Sequence, residues 1–173
     1  MPGPLPHLPR NGTLLVLRGN SGSGKSTIAR ALHQHFDHVR STLIAQDAIR
    51  RTILREPDTP DAFTIELIEL LATTSLPHRQ LVIIEGILDA DRYGPMLETL
   101  TTRAQRALFY NWDLTFEQTL TRHTQRAQAT EFGETEMRSW YHGRQPLPSV
   151  TETRIDHPWT QNTTINRILH DLH

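Results

Sequence analysis

Cysteine is absent from the 173 residues, which excludes disulfides and thiolate metal sites and fits a reducing cytoplasm. A dominant charge is also lacking. Eighteen basic and nineteen acidic residues leave a formal net charge of −1, too little for the field that holds long nucleic acid. A local basic groove stays compatible with that balance. No apolar run approaches the roughly 18 residues that cross a bilayer, so no membrane partner is expected. The opening stretch from Met1 to Arg10 carries four prolines and none of the apolar core of a secretion signal. Residues 1–12 read as a short, flexible, extended tail. Asn11-Gly-Thr13 and Asn162-Thr-Thr164 spell glycosylation patterns, but without a secretion signal both are coincidental. The ten histidines are scattered without H-E-x-x-H or other ligand spacing, and none is assigned a metal.

Lysine is nearly missing as well. Among 18 basic residues Lys25 is the single lysine, and arginine serves everywhere else. That exception falls inside Gly19-Asn20-Ser21-Gly22-Ser23-Gly24-Lys25-Ser26, which matches G-x-x-x-x-G-K-[ST] and lies after an apolar strand and before a helical pattern. Glycines let the backbone approach phosphates and turn where a side chain would strain it. Successive N–H groups and the start of the following helix present positive dipole to a polyanion. A compact ammonium fits inside a ring of amides where a planar guanidinium does not. The loop from Gly19 to Thr27 is therefore the expected seat of ATP. Lys25 would lie on the β and γ phosphates, with the Ser26 hydroxyl in the Mg²⁺ shell. The plain alternative is a glycine-rich turn without a ligand.

The rest of the chain alternates between two periodicities. Short apolar runs at 13–18, 41–45, 80–85 and 106–112, and a fainter one near 151–155, suit buried parallel strands. Helical spacing occupies 26–36, 47–54, 60–72, 93–102, 116–126 and 164–172. On the helix over 60–72, Phe63, Leu67, Leu70 and Leu71 share one side. Strands alternating with helices predict an α/β fold, a parallel sheet covered on both faces. The stretch 128–148 is polar and aromatic, has little strand character and offers no evident core, which suits a lid.

Three enzyme classes share such a loop. A GTP-dependent switch needs N-K-x-D or T-K-x-D, which a chain whose sole lysine is Lys25 cannot supply. Asp91-Arg-Tyr-Gly94 spells D-x-x-G but trails the third strand and reads as a loop and helix start. Large motor and transporter ATPases need more chain. Small phosphotransferases remain, and Leu43-Ile-Ala-Gln-Asp47-Ala-Ile-Arg50-Arg-Thr-Ile53 resembles the segment after the second strand in a group of P-loop kinases. That group comprises the polynucleotide kinases and their zeta-toxin-like and chloramphenicol-phosphotransferase-like relatives. Val82-Ile-Ile-Glu85-Gly86 resembles their third-strand end, and Arg122-His-Thr-Gln-Arg126 their lid arginines. The resemblance runs from Thr13 to about Arg144. It implies a five-stranded parallel P-loop kinase fold over 13–173, with a lid between strands four and five at about 126–148. It also implies that Asp47 takes the proton from the acceptor hydroxyl and that Arg50 touches a phosphate on the acceptor. No acceptor signature is present.

Each of these residues has a second reading. Asp47 at the carboxyl edge of the sheet lies where open α/β sheets bind ligands, but would also cap the helix that follows. Glu85 suits the Mg²⁺ shell or its waters, and equally a solvated strand end. Arg122 and Arg126, four apart on one helix face, would reach the triphosphate, and Arg138 and Arg144 would do so from the lid; surface arginines are common here. Arg50, Arg51 and Arg55 would bind an anionic group or form an outer helix face. Trp140 and Tyr141 would stack on a ring or simply pack. The expected activity is transfer of the ATP γ-phosphate to a hydroxyl of a small molecule, a nucleoside, sugar or antibiotic. Lys25, Asp47, Arg122 and Arg126 would be catalytic, Ser26 and Glu85 would face the metal, and Asp47 and Arg50 the acceptor. The rivals are a polynucleotide 5′-hydroxyl kinase and a non-catalytic nucleotide-binding regulator.

Overall fold

The computed structural model describes residues 12–36, 40–124 and 133–173. Apolar runs become strands because both faces of each can be buried. β1 (Thr13–Gly19), β2 (Ser41–Ala45), β3 (Leu81–Gly86), β4 (Arg106–Trp112) and β5 (Glu152–Ile155) form one sheet in the order β2-β3-β1-β4-β5. All four pairings are parallel. β1 runs through the middle with all seven residues buried, Thr13 opposite Leu81 on one side and Arg106 on the other. The connections reverse their sense across the sheet beside it: β1 leads outward to β2, while β3 crosses over to β4. That reversal opens a crevice at the carboxyl edge of the strands.

Side-chain alternation splits the core in two. Leu14, Val16, Val82 and Ile84 face α2 (Phe63–Ser75) and α3 (Ala90–Arg103). Leu15, Leu17, Leu81 and Ile83 face α1 (Lys25–His35) and α6 (Gln161–Leu172). α4 (Phe116–Thr124) and α5 (Glu134–Trp140) lie over the carboxyl edge. Among the described residues no helix is long and apolar enough to cross a membrane.

Three elements differ from the sequence expectations. The helix after β2 is wound as a π-helix, Ala48–Leu54, and closes at Arg55 in the left-handed region with φ 54°. α2 begins at Phe63 and buries Thr64, Ile68 and Ala72, so small residues bring it close to the sheet. Phe63, Leu70 and Leu71 consequently face outward at 50%, 60% and 38% exposure. Apolar residues cover most of this helix outside the stripe of Glu66, Glu69 and Thr73, so periodicity alone does not choose between the two apolar flanks. Within the expected lid, α5 forms where no helix is anticipated. It is held by tertiary contacts: Met137 is 2% exposed, and Arg138 lies 4.1 Å above the Phe116 ring.

Candidate functional site

The crevice is floored by the loop joining β1 to α1. Gly22 and Gly24 adopt φ 79° and 100°, backbone that favours glycine. A Cβ on Gly22 would also meet the Thr119 carbonyl oxygen at 2.7 Å. Lys25, 5% exposed, folds its ammonium onto the loop, donating to the Asn20 carbonyl at 2.9 Å and to Ser23 Oγ at 3.1 Å. Ser26 Oγ donates to Glu85 Oε2 at 3.0 Å, joining the start of α1 to the end of β3. Burial holds the Glu85 carboxyl above its usual range, with Lys25 and the Ser26 hydrogen bond acting against that shift.

These groups line a cleft of about 330 Å³ with Asp47, Arg30 and His123. Asp47 is 63% exposed and accepts from Arg50 Nη2 at 3.3 Å and pairs with Arg51 Nε at 3.4 Å. It makes no capping hydrogen bond to the helix that follows. The loop's amides, its ammonium and the neighbouring helix start suit a triphosphate. A hydroxyl and a carboxylate oxygen are hard donors of the kind Mg²⁺ takes beside phosphate and water. Among the described residues no group of three or more histidines or carboxylates would hold a metal unaided.

The remaining predicted residues fall in several places. Asn20 is buried away from the cleft; its amide donates to the Gly143 carbonyl at 2.8 Å and its carbonyl accepts from the His142 N–H at 3.1 Å. The segment after α5 is thereby tied to the loop. Thr27 is exposed on α1. Arg122 reaches across from α4, donating from Nη1 to the Ser23 carbonyl at 2.9 Å, and burial lowers its pKa. It lines a second cleft, of about 260 Å³, with Ile28, Trp112 and Trp159; Ser23 and Gly24 line both this cleft and the one that holds Asp47. Arg126 lies outside the described residues. Arg138 pairs with Glu134 at 2.9 Å, and Arg144 is exposed. Arg50 and Arg51 line a third cleft, with Trp140, whose ring lies 5.0 Å from the Arg51 guanidinium, and Tyr141, which donates to the Leu114 carbonyl. Arg55 is exposed and turns the chain.

Sequence reasoning missed the groups that hold the edge of the site. Arg18, 2% exposed within β1, donates to the Leu88 carbonyl at 3.1 and 3.2 Å, to the Gln145 carbonyl at 2.6 Å and to Glu152 Oε1 at 2.8 Å. Glu152 Oε2 accepts from Asn111 Nδ2 and from the Leu147 N–H. Leu88 sits in the left-handed region at φ 48°, its N–H donating to Gln46 Oε1. The available signal was a charged residue inside an otherwise apolar strand, since such a group needs a partner.

A family model described as an AAA domain (AAA_33) matches residues 14–139. No curated protein gives a match. A gluconokinase structure from Sinorhizobium meliloti 1021 is 19% identical, covers 94% of this chain and 91% of its own, and superposes with TM-score 0.64. The Mycobacterium tuberculosis APS kinase CysC, in complex with AMPPNP and APS, is 16% identical over 95% and 98% of the two chains, TM-score 0.68. A chain of the Pnkp1/Rnl/Hen1 RNA repair complex is 23% identical over 77% of this chain and 44% of its own, TM-score 0.59. With its all-parallel sheet and phosphate loop, the chain has the P-loop kinase fold and belongs to the AAA_33 family.

Proposed function

We propose that the protein is an ATP-dependent kinase that transfers the γ-phosphate to a hydroxyl of a small molecule in the cytoplasm. The observation that carries this is the convergence of Lys25, Ser26, Glu85 and Asp47 on one cleft at the carboxyl edge of the sheet. The loop amides and Lys25 bind the triphosphate and offset charge on the β and γ phosphates. Ser26 and Glu85 would hold Mg²⁺, which when bound supplies charge neutralisation between those phosphates. Asp47 accepts the proton of the acceptor hydroxyl as its oxygen bonds to the γ-phosphorus, and the bond to the β-bridging oxygen breaks to leave ADP. Arg122 steadies the loop through the Ser23 carbonyl. The segment 126–148 serves as the lid that keeps water from the phosphates.

Asp47→Asn separates base from scaffold, because the change keeps the shape and removes the proton acceptor. Loss of a general base costs about 10²–10⁴ in rate. Folding and ATP affinity should survive while transfer is nearly lost. Wild-type transfer by this variant, across a panel of hydroxyl acceptors, would exclude Asp47 as the base. The same panel should include 5′-hydroxyl oligonucleotides, because Arg50 beside Asp47 also suits a polynucleotide end.

A further inference from the structure

The phosphate loop is held from outside by elements far along the chain. Asn20, 2% exposed, donates from its amide to the Gly143 carbonyl at 2.8 Å and accepts the His142 N–H at 3.1 Å. A Cβ on Gly22 would meet the Thr119 carbonyl oxygen at 2.7 Å and Met137 Cε at 3.0 Å, so α4 and α5 pack on the loop backbone itself. Arg122 adds its hydrogen bond to the Ser23 carbonyl. Residues 20, 22 and 23 of the loop therefore each touch α4, α5 or the segment that follows α5.

The Asn20 contact differs from the other two in what it joins. Any buried amide needs partners, but this one takes its donor and its acceptor from neighbouring residues of one segment. Its main-chain carbonyl meanwhile accepts from Lys25 Nζ at 2.9 Å. One residue thus carries the ammonium on its backbone and the 142–143 segment on its side chain. Gly143 has φ 71° and nothing within 4 Å of an added Cβ, so backbone conformation rather than space calls for glycine there. Gln145, two residues on, is fixed separately: its main-chain carbonyl accepts from Arg18 at 2.6 Å, and its side chain accepts the Ala90 N–H at 3.1 Å. On the other side, Tyr141 donates to the Leu114 carbonyl. Asn20 clasps the stretch between these two anchors.

We infer, on the nucleotide reading above, that Asn20 is a positioning residue that couples occupancy of the phosphate loop to closure of the 142–143 segment onto it. The contacts run from the phosphates through Lys25 to the Asn20 carbonyl, and through the Asn20 amide to His142 and Gly143. Closing the clasp fixes the residue whose carbonyl orients the ammonium, so nucleotide binds the closed form more tightly. Such coupling is reciprocal: the factor by which closure raises affinity is the factor by which nucleotide resists opening.

The test reads calorimetric binding of AMPPNP with Mg²⁺, and amide exchange across 141–147, in the full chain. In the wild type, saturating AMPPNP should slow exchange at His142 and Gly143. Asn20→Ala should bind AMPPNP about fivefold or more weakly, exchange faster at both residues, and lose the effect of nucleotide there. Gly143→Val acts from the far side of the clasp and leaves the loop sequence intact. Its Cβ meets nothing within 4 Å, but a β-branched residue resists the left-handed turn. It too should weaken AMPPNP, and in the double variant the two losses should not add, because either change opens the clasp. A thermal melt checks folding, and Gly143→Val decides alone should Asn20→Ala fail to fold. Unchanged AMPPNP affinity in Gly143→Val overturns the inference, since the asparagine then acts within the loop only. Additive losses overturn it as well, as does exchange at 142–143 that nucleotide leaves unmoved in the wild type. A wild type that does not bind AMPPNP strikes the nucleotide reading, and the coupling with it; binding with uncoupled variants strikes the coupling alone.

Discussion

On the proposed function, the work of the loop falls most heavily on Lys25. Its ammonium is satisfied by a carbonyl and a hydroxyl of the loop itself, so the loop is already shaped around a cation when a phosphate arrives. Lys25→Ala removes both contacts and the charge. ATP affinity should fall by about tenfold or more, with turnover abolished, because a charged hydrogen bond to phosphate contributes about 1.5–3 kcal/mol. The fold should persist, since β1 and α1 are held by Leu15, Leu17, Ile28 and Leu32 on the opposite side of the backbone. Calorimetry with ATP and Mg²⁺, alongside a thermal melt, checks both halves; unchanged ATP affinity would remove the loop from the nucleotide site. Arginine at the same position is no remedy, as its plane does not fit the space between Asn20 and Ser23.

Elements meet at the site through a pair of buried charges rather than through apolar packing. Arg18 and Glu152, both side chains 2% exposed, join β1 to β5 and hold the Gln145 and Leu147 main chain between them. Glu152→Gln leaves the guanidinium buried without its counter-charge, a change that costs about 3–5 kcal/mol in comparable pairs. Urea denaturation should register that loss, and amide exchange should quicken first around Leu147. A loss below about 1 kcal/mol would mean that neutral hydrogen bonds alone hold the edge. The partner was not legible in the sequence beyond the hint of a charge inside an apolar strand, because 134 positions separate the two and only the sheet order brings them together. The strands were legible because unbroken apolar runs such as Leu81–Ile84 have few other places to go. The glycine turn between β1 and α1 was legible because its residues are contiguous. α5 was not: seven residues are too few to hold a helix without Met137 and Arg138 finding partners on α4 and the loop. The outward turn of Phe63, Leu70 and Leu71 was hidden for the opposite reason, since the apolar residues of α2 span most of its circumference, with Glu66, Glu69 and Thr73 as its polar stripe.

For the whole molecule, the half-buried His142 ties stability to pH. Burial lowers the pKa of His142 from the ordinary 6.5, the neighbouring charges of Arg18 and Arg92 lower it further, and Asp89 and the Gly143 main chain oppose them. The folded chain therefore keeps this ring neutral at a pH where the unfolded chain has begun to protonate it. Between the depressed folded value and 6.5 the unfolded state binds more protons, so stability rises with pH across that window and is lost as pH falls through it. Above 6.5 the ring is neutral in both states and contributes no slope. His142→Asn keeps a polar side chain and removes the titration. Melting midpoints of the ligand-free protein between about pH 5 and 8 should fall more steeply on the acid side for the wild type than for the variant. The two curves should run parallel above about pH 7, where the ring is neutral in either state. Nine other histidines titrate in both proteins and cancel in the difference. Parallel curves throughout would mean that Asp89 and the Gly143 main chain balance the burial and leave the ring's proton affinity unshifted. A steeper acid-side fall of the wild type instead fixes a depressed proton affinity on His142.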